Sequence, residues 1–253
     1  MCLVLFAFQP DSHRPLVVAA NRDEFYARPA KSAHYWPGNS DDDPAHLLAG
    51  RDLTAGGTWL GVSTKGRFAT VTNFAEDVPD ETVLRSRGEL VASFLNSNVP
   101  AHKFAHHIHG LDYRGFNLLL WDGRDLTYTS NRGTTQDIGP GVYGLSNAEL
   151  GATWPKVVSG AAGLSCICDT VPTSAKLLEL LTDEQIPPDD ELPQRGRPLE
   201  LERQAASCFI RGEDYGTRAS TAVIVENSIV HFAEQEYGAG GIRGGYQEYQ
   251  FQI

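Results

Sequence analysis

A chain of 253 residues, 41% hydrophobic and 21% charged, reads as an ordinary soluble globular protein. Its formal net charge of -11 excludes the basic surface that nucleic acid or an anionic membrane requires. No apolar run approaches the ~18 residues of a transmembrane helix, and LVLFAF (3–8) is too short for a signal-peptide core, so a cytoplasmic protein without an integral membrane segment is expected.

In chain order, LVLFAF (3–8), the turn residues PDSHRP (10–15) and the apolar PLVVAAN (15–21) predict a β-hairpin. Its second strand delivers Asn21, Arg22, Asp23 and Glu24 at its end. The stretch from Trp36 to Ala49, with Pro, Gly and three consecutive Asp, reads as a loop. TWLGVSTKGRFATVTNF (58–74) predicts a second hairpin with strands Thr58–Val62 and Arg67–Asn73. Leu90, Val91, Phe94 and Leu95 recur at helical spacing within 86–97. A second short helix over 101–110 stops at Gly110.

GFNLLLWDGRDLTYTSN (115–131) predicts a third hairpin, and GVYGLSNA (141–148) a short strand ending in polar residues. Helices are expected over 153–163 and 172–186, then a polar, proline-rich loop over 187–200. Strands follow at 207–212, 218–227 and 228–237, a glycine-rich loop at 238–245, and an edge strand at 246–253. No repeat or linker divides the chain, so one domain over 1–253 is expected. Strands joined by hairpins, with helices grouped between them, point to an α+β fold of antiparallel sheets covered by helices. LVLFAF, NLLLW and TAVIV are apolar on both faces, as strands sandwiched between a second sheet and helices are.

Cys2 stands first among residues able to carry chemistry. Removal of Met1 would leave it with a thiol and an α-amine, and such an amine titrates near ~7.7–8.0. Together they form a base–nucleophile pair on one residue. The alternative is a cysteine buried as a small hydrophobe at a strand start. In a hairpin the start of the first strand lies beside the end of the second, which brings Asp23 toward the Cys2 amine to hold and tune it. Arg22 can support a thiolate or bind a carboxylate, against the alternative of a solvated turn with a local ion pair.

Asn73 and Asn147 end strands, where amides can build an oxyanion hole or simply cap turns. Arg218, in YGTRAST, starts a strand and is a candidate for a substrate carboxylate. His102, His106 and His109 share one helical face without a carboxylate or cysteine, so a solvated face is preferred to a metal site. The cysteines Cys2, Cys166, Cys168 and Cys208 form no zinc pattern.

MC at the start, AANRDEFYARP (19–29), GGTWLGVSTKGRFATVTNF (56–74), RGELV (87–91), GFNLLL (115–120), NRG (131–133), YGLSNA (143–148) and YGTRAST (215–221) together resemble the NRDE family. Its eukaryotic members are the transport and Golgi organisation protein 2 group. The resemblance implies an N-terminal-nucleophile hydrolase-like fold, a four-layer αββα sandwich of two antiparallel sheets between helical layers. Cysteine-type relatives in that superfamily, such as bile-salt hydrolases and penicillin V acylases, cleave amides with an N-terminal cysteine. Carried over by segment order, the catalytic set is Cys2, Asp23, Asn73, Asn147 and Arg218. Asn21, Arg22, Glu24 and Trp59 are the expected substrate contacts.

One departure concerns the acylase arginine, which stands three residues before the aspartate, where this chain has Ala20. Strand alternation sets Arg22 on the face opposite Asp23 and, on this reading, away from the thiol. The resemblance thus implies an amidohydrolase acting on a small acyl amide or thioester, with no cofactor required and no metal. The family's link to haem and lipid handling implies the alternative, a non-catalytic carrier of haem or an acyl lipid on the same scaffold.

Overall fold

The computed structural model describes residues 2–37, 46–75, 84–193 and 198–253. In chain order its elements are β1 (Cys2–Phe8), β2 (Leu16–Phe25), β3 (Ala30–Tyr35), β4 (Leu47–Asp52), β5 (Leu60–Ser63) and β6 (Arg67–Asn73). Two helices follow, α1 (Gly88–Asn96) and α2 (Ala101–His106), then β7 (Phe116–Trp121), β8 (Leu126–Ser130), β9 (Gln136–Asp137) and β10 (Gly141–Leu145). The last part holds α3 (Pro155–Cys168), α4 (Ser174–Leu180), α5 (Leu199–Gln204), β11 (Tyr215–Glu226), β12 (Ile229–Tyr237) and β13 (Arg243–Gln252). The chain is α+β, and it divides into two compact units, residues 1–27 with 140–250, and 28–139 with 251–253.

The first unit is built on a six-stranded sheet in the order β10-β1-β2-β11-β12-β13. All seven residues of β1 are buried, as its unbroken apolar run requires of a strand covered on both faces. Leu3, Leu5 and Ala7 join Val17, Ala19, Ala222 and Ile224 in a core closed by Val157 and Leu164 of α3 and Leu177 of α4. Glycine lets α3 lie close to the sheet. A Cβ on Gly160 would stand 2.8 Å from the Leu5 side chain, and one on Gly144 would stand 2.7 Å from Val157. Pro155 opens α3, and the Thr173 hydroxyl caps α4 by accepting from the Lys176 N–H.

The second unit carries a seven-stranded sheet in the order β3-β4-β5-β6-β7-β8-β9. The four apolar residues of α1 read from helical spacing, Leu90, Val91, Phe94 and Leu95, are buried against Leu47, Ala49, Ala69, Val71, Leu118 and Leu120. Arg67 lays its guanidinium over Phe94, 4.0 Å from the ring centre.

Several elements differ from the sequence expectation. β2 carries Asn21–Glu24 at its end, as expected, and reaches Phe25 because β11 pairs with it as far as Tyr215 and so satisfies its backbone groups. β4 begins inside the expected loop 36–49, of which residues 38–45, with the three Asp, lie outside the described residues. Residues 207–212 form no strand. Their backbone instead bonds outward, Phe209 N–H to Asp183 and Ile210 to Thr217 in both directions. Helix α2 stops at His106, so His109 leaves the face of His102 and His106. β13 does form the edge strand expected at the chain's end.

Candidate active site

The hairpin register decides where each candidate side chain points. β1 and β2 pair antiparallel with Cys2 directly opposite Arg22 and Leu3 opposite Asn21. Directly paired residues share a face, and neighbours along a strand alternate. Cys2 and Arg22 therefore lie on one face of the sheet. Asn21 and Asp23 lie on the other, which continues the Val17 and Ala19 surface under α3 and α4. This corrects the expectation that alternation would carry Arg22 away from the thiol: Asp23 is the residue on the far face. Position 20, where acylases carry their arginine, shares the Arg22 face, so the two-residue displacement keeps the side.

A bulge adds a second arginine to that face. Thr217 pairs with Asp23 and Ala219 with Arg22, leaving Arg218 as the extra residue. Thr217 bonds Asp23, and Ser220 bonds Asn21, so both belong to the helix-covered face. The two residues between them, Arg218 and Ala219, are consequently turned to the Cys2 face. A row of Cys2, Arg22, Arg218 with Ala219, and Glu236 (the partner of Ala219) crosses four strands on one side.

Around Cys2 the backbone is held from both sides. Its N–H donates to Asn147 Oδ1 at 3.2 Å, and its carbonyl accepts from the Ser146 hydroxyl at 2.8 Å. Both partners follow β10, which pairs with β1 from Val4↔Leu145 onward. Burial pushes the Cys2 thiol above its ordinary pKa, and the Asp23 carboxylate adds to the rise. The Asp23 backbone N–H, bonded to the sulfur, and the Arg22 charge pull it back. A thiol so placed is protonated at neutral pH and needs a base to act as a nucleophile.

Asp23 is 4% exposed. Burial raises its carboxyl pKa, opposed by Lys156, by the Thr217 hydrogen bond and by Arg22. The Thr217 hydroxyl accepts the Ile210 N–H at 2.9 Å and donates to Asp23 Oδ1 at 2.8 Å. With its acceptor side engaged, its single hydrogen is directed at the carboxylate. Lys156 of α3 is buried, and its Nζ donates to the carbonyls of Ala205 at 2.8 Å and Ser207 at 3.4 Å.

Ser146, Thr217 and Lys156 escape a sequence reading. The first two adjoin Asn147 and Arg218 inside quoted motifs. Lys156 carries no signal, since a lysine on a helix is ordinarily solvated.

The remaining candidates take other places. Asn21 is fully buried, with its Nδ2 on the carbonyls of Leu181 and Cys208 at 2.9 Å each and its Oδ1 accepting from Ser220 at 2.6 Å. It ties β2 to the helical layer and is no surface for a ligand. Glu24 accepts the Phe25 N–H at 2.9 Å and stands 3.8 Å from the Arg22 guanidinium. Arg218 reaches the Phe25 carbonyl at 3.4 Å. Asn73 and Trp59 belong to the second unit. Asn73 is exposed at the end of β6, opposite Phe116 and on the α1-covered face with Val71. Trp59 packs against the α1 core. All four cysteines are free, and burial pushes the Cys208 thiol up to about 12. Among the described residues no three of His, Cys, Asp and Glu gather as metal ligands would, and no helix is long and apolar enough to cross a membrane.

The comparisons agree with this architecture. The family described as Transport and Golgi organisation 2 matches residues 1–239. The Transport and Golgi organization protein 2 homolog of Bos taurus is 37% identical over 254 residues, covering 89% of each chain. The Mus musculus homolog is 36% identical over 267 residues, covering 93% of this chain and 92% of its own. Among solved structures, an N-acylethanolamine-hydrolyzing acid amidase ortholog of Caenorhabditis elegans superposes with a TM-score of 0.54 at 8% identity. The match covers 89% of this chain and 93% of that one. That likeness is one of fold, antiparallel sheets with helices as expected from the sequence.

Proposed function

The chain belongs to the Transport and Golgi organisation 2 family, and from that premise and the geometry around its first strand we propose that it is an N-terminal cysteine hydrolase of small acyl amides or thioesters. The observation that carries the reading is the Cys2 nitrogen, held at 3.2 Å by Asn147 Oδ1 on the strand whose partner presents Arg22 and Asp23. Removal of Met1 converts that nitrogen from an amide to a primary amine with a basic lone pair. Asn147 then holds one N–H and sets the direction of the lone pair.

The amine takes the thiol proton as sulfur bonds to the acyl carbon. As the tetrahedral adduct collapses, the proton passes to the leaving nitrogen and the C–N bond breaks, leaving a thioester on Cys2. With a thioester substrate the bond broken is C–S instead. Water then attacks the thioester and gives its proton through the amine to the Cys2 sulfur, and the acid departs. Asp23, held by the Thr217 hydroxyl that donates to it, stabilises the ammonium that forms in each half. Arg218 supports the mouth of the site.

The test is intact mass followed by turnover on a panel of acyl amides and thioesters. Loss of the methionine mass, turnover in the parent and none in Cys2→Ala support the reading, and residual turnover in Cys2→Ser strengthens it. Turnover unchanged in Cys2→Ala ends it. A haem titration that shifts the Soret band in that same variant would favour the carrier of haem or acyl lipid instead.

A further inference from the structure

The helical side of the first unit holds a cavity of about 690 Å³ that the chemistry at Cys2 does not use. Its lining comes from α3 and from residues 183–191 and 206–208, all within that one unit. Lys156 and Cys208 are its buried part. Cys208 belongs to the core beneath α3 and α4, so the cavity lies on the side of the sheet opposite the Cys2 side chain. A concavity of this size accommodates a small organic molecule.

The walls are apolar, and part of them is stiff. Val158 and Ala162 of α3 supply one part, and Val158 is 54% exposed. Pro187 and Pro188 supply another. Proline fixes its own φ, which keeps that wall in shape without a ligand.

Charge then selects the occupant. Asp183 and Glu191 line the cavity, and both are exposed. Nearby carboxylates in the same stretch have guanidinium partners, Glu184 with Arg211 at 2.5 Å and Asp189 with Arg203 at 2.7 Å. Asp183 accepts the Gln185 N–H at 2.9 Å, and neither it nor Glu191 makes an ion pair among the described residues. The Lys156 ammonium is directed elsewhere, to the carbonyls of Ala205 and Ser207. The start of α3 offers an anion little, because Pro155 has no N–H and the N–H groups of Val157 and Val158 donate to the Trp154 carbonyl at 2.9 and 3.0 Å.

We propose that this cavity is a binding site for a small alkylammonium compound, its cation held by Asp183 and Glu191 and its hydrocarbon chain against Val158, Ala162 and the two prolines. The site is separate from the reading of Cys2 as a nucleophile and does not rest on it.

Three probes with one chain and different heads test it: hexylammonium, hexan-1-ol and hexanoate, compared by calorimetry on the full chain. At low salt hexylammonium is expected to bind about tenfold more tightly than either of the others. Its affinity should fall about threefold in Asp183→Asn and in Glu191→Gln, and about tenfold in the double variant. Both positions are exposed, so these variants keep the parent's stability. Ala162→Trp, at an exposed position of α3, puts an indole into the cavity and should abolish binding with thermal unfolding unchanged. Cys2→Ala should bind hexylammonium as the parent does, whatever becomes of turnover. No binding of hexylammonium by the parent, hexanoate bound as tightly, or an affinity that the double variant or Ala162→Trp leaves unchanged overturns the site.

Discussion

Strand β2 carries two chemistries on its two sides. On the helix-covered side Asn21 and Asp23 are buried at 0% and 4% exposure, and their side chains are tied to Leu181, Cys208, Ser220 and Thr217. On the other side Arg22 and Glu24 stand 3.8 Å apart as an ion pair, Glu24 accepts the Phe25 N–H, and both are partly exposed. A buried polar group must be paired where water cannot reach it, whereas one at a site mouth can be left for a ligand. On the proposed reading, the contrast separates residues that hold the site from residues that would meet a substrate.

Substitutions at four positions probe that contrast. Asn21→Leu should have the largest effect on stability. It strands two carbonyls and a hydroxyl in the interior, and a loss of about 3 kcal/mol is expected, read by chemical denaturation. Thr217→Val removes the donor to Asp23 and the acceptor of the Ile210 N–H, with an expected cost of about 1–3 kcal/mol. Thr217→Ser should restore most of it, and it should also restore the pH profile of Cys2 alkylation that the valine variant shifts. A recovered stability without a recovered profile would leave Thr217 as packing alone.

Asp23→Asn should change the pH dependence of stability more than its value at any one pH. Burial holds the folded Asp23 pKa above its ordinary value, so the folded chain binds a proton that the unfolded chain has released. This contribution is full below the ordinary value and is lost as pH rises through the raised one. The asparagine variant is expected to lack that decline across the same window in denaturation at stepped pH. Arg22→Gln sits at the small end, within about 1 kcal/mol of the parent, because a loose, partly exposed ion pair contributes little. A large stability loss there would assign Arg22 to the scaffold and erase the difference between the two sides.

Much of this was legible in the residues. The turn PDSHRP between two apolar runs set the first hairpin, and with it the neighbourhood of Cys2 and the NRDE tetrapeptide. Helical spacing in α1 named the four side chains that are buried, and alternation in the last segment named β13 as an edge. These features follow from local periodicity and turn chemistry, which a chain carries in its own order. The facing of Arg22 does not. A one-residue change of register inverts every side chain of a strand, and only the pairing of Cys2 with Arg22 decides it. The position of Arg218 depends on a bulge set by two distant hydrogen bonds, Thr217 to Asp23 and Ser220 to Asn21. Lys156 reaches the interior because the carbonyls of Ala205 and Ser207, some fifty residues along the chain, are folded back to receive it. The sequence by itself determined the first hairpin, the buried face of α1, the edge strand β13 and the family. Tertiary pairing alone decided which face each charged group occupies, because that depends on contacts between residues far apart in the chain.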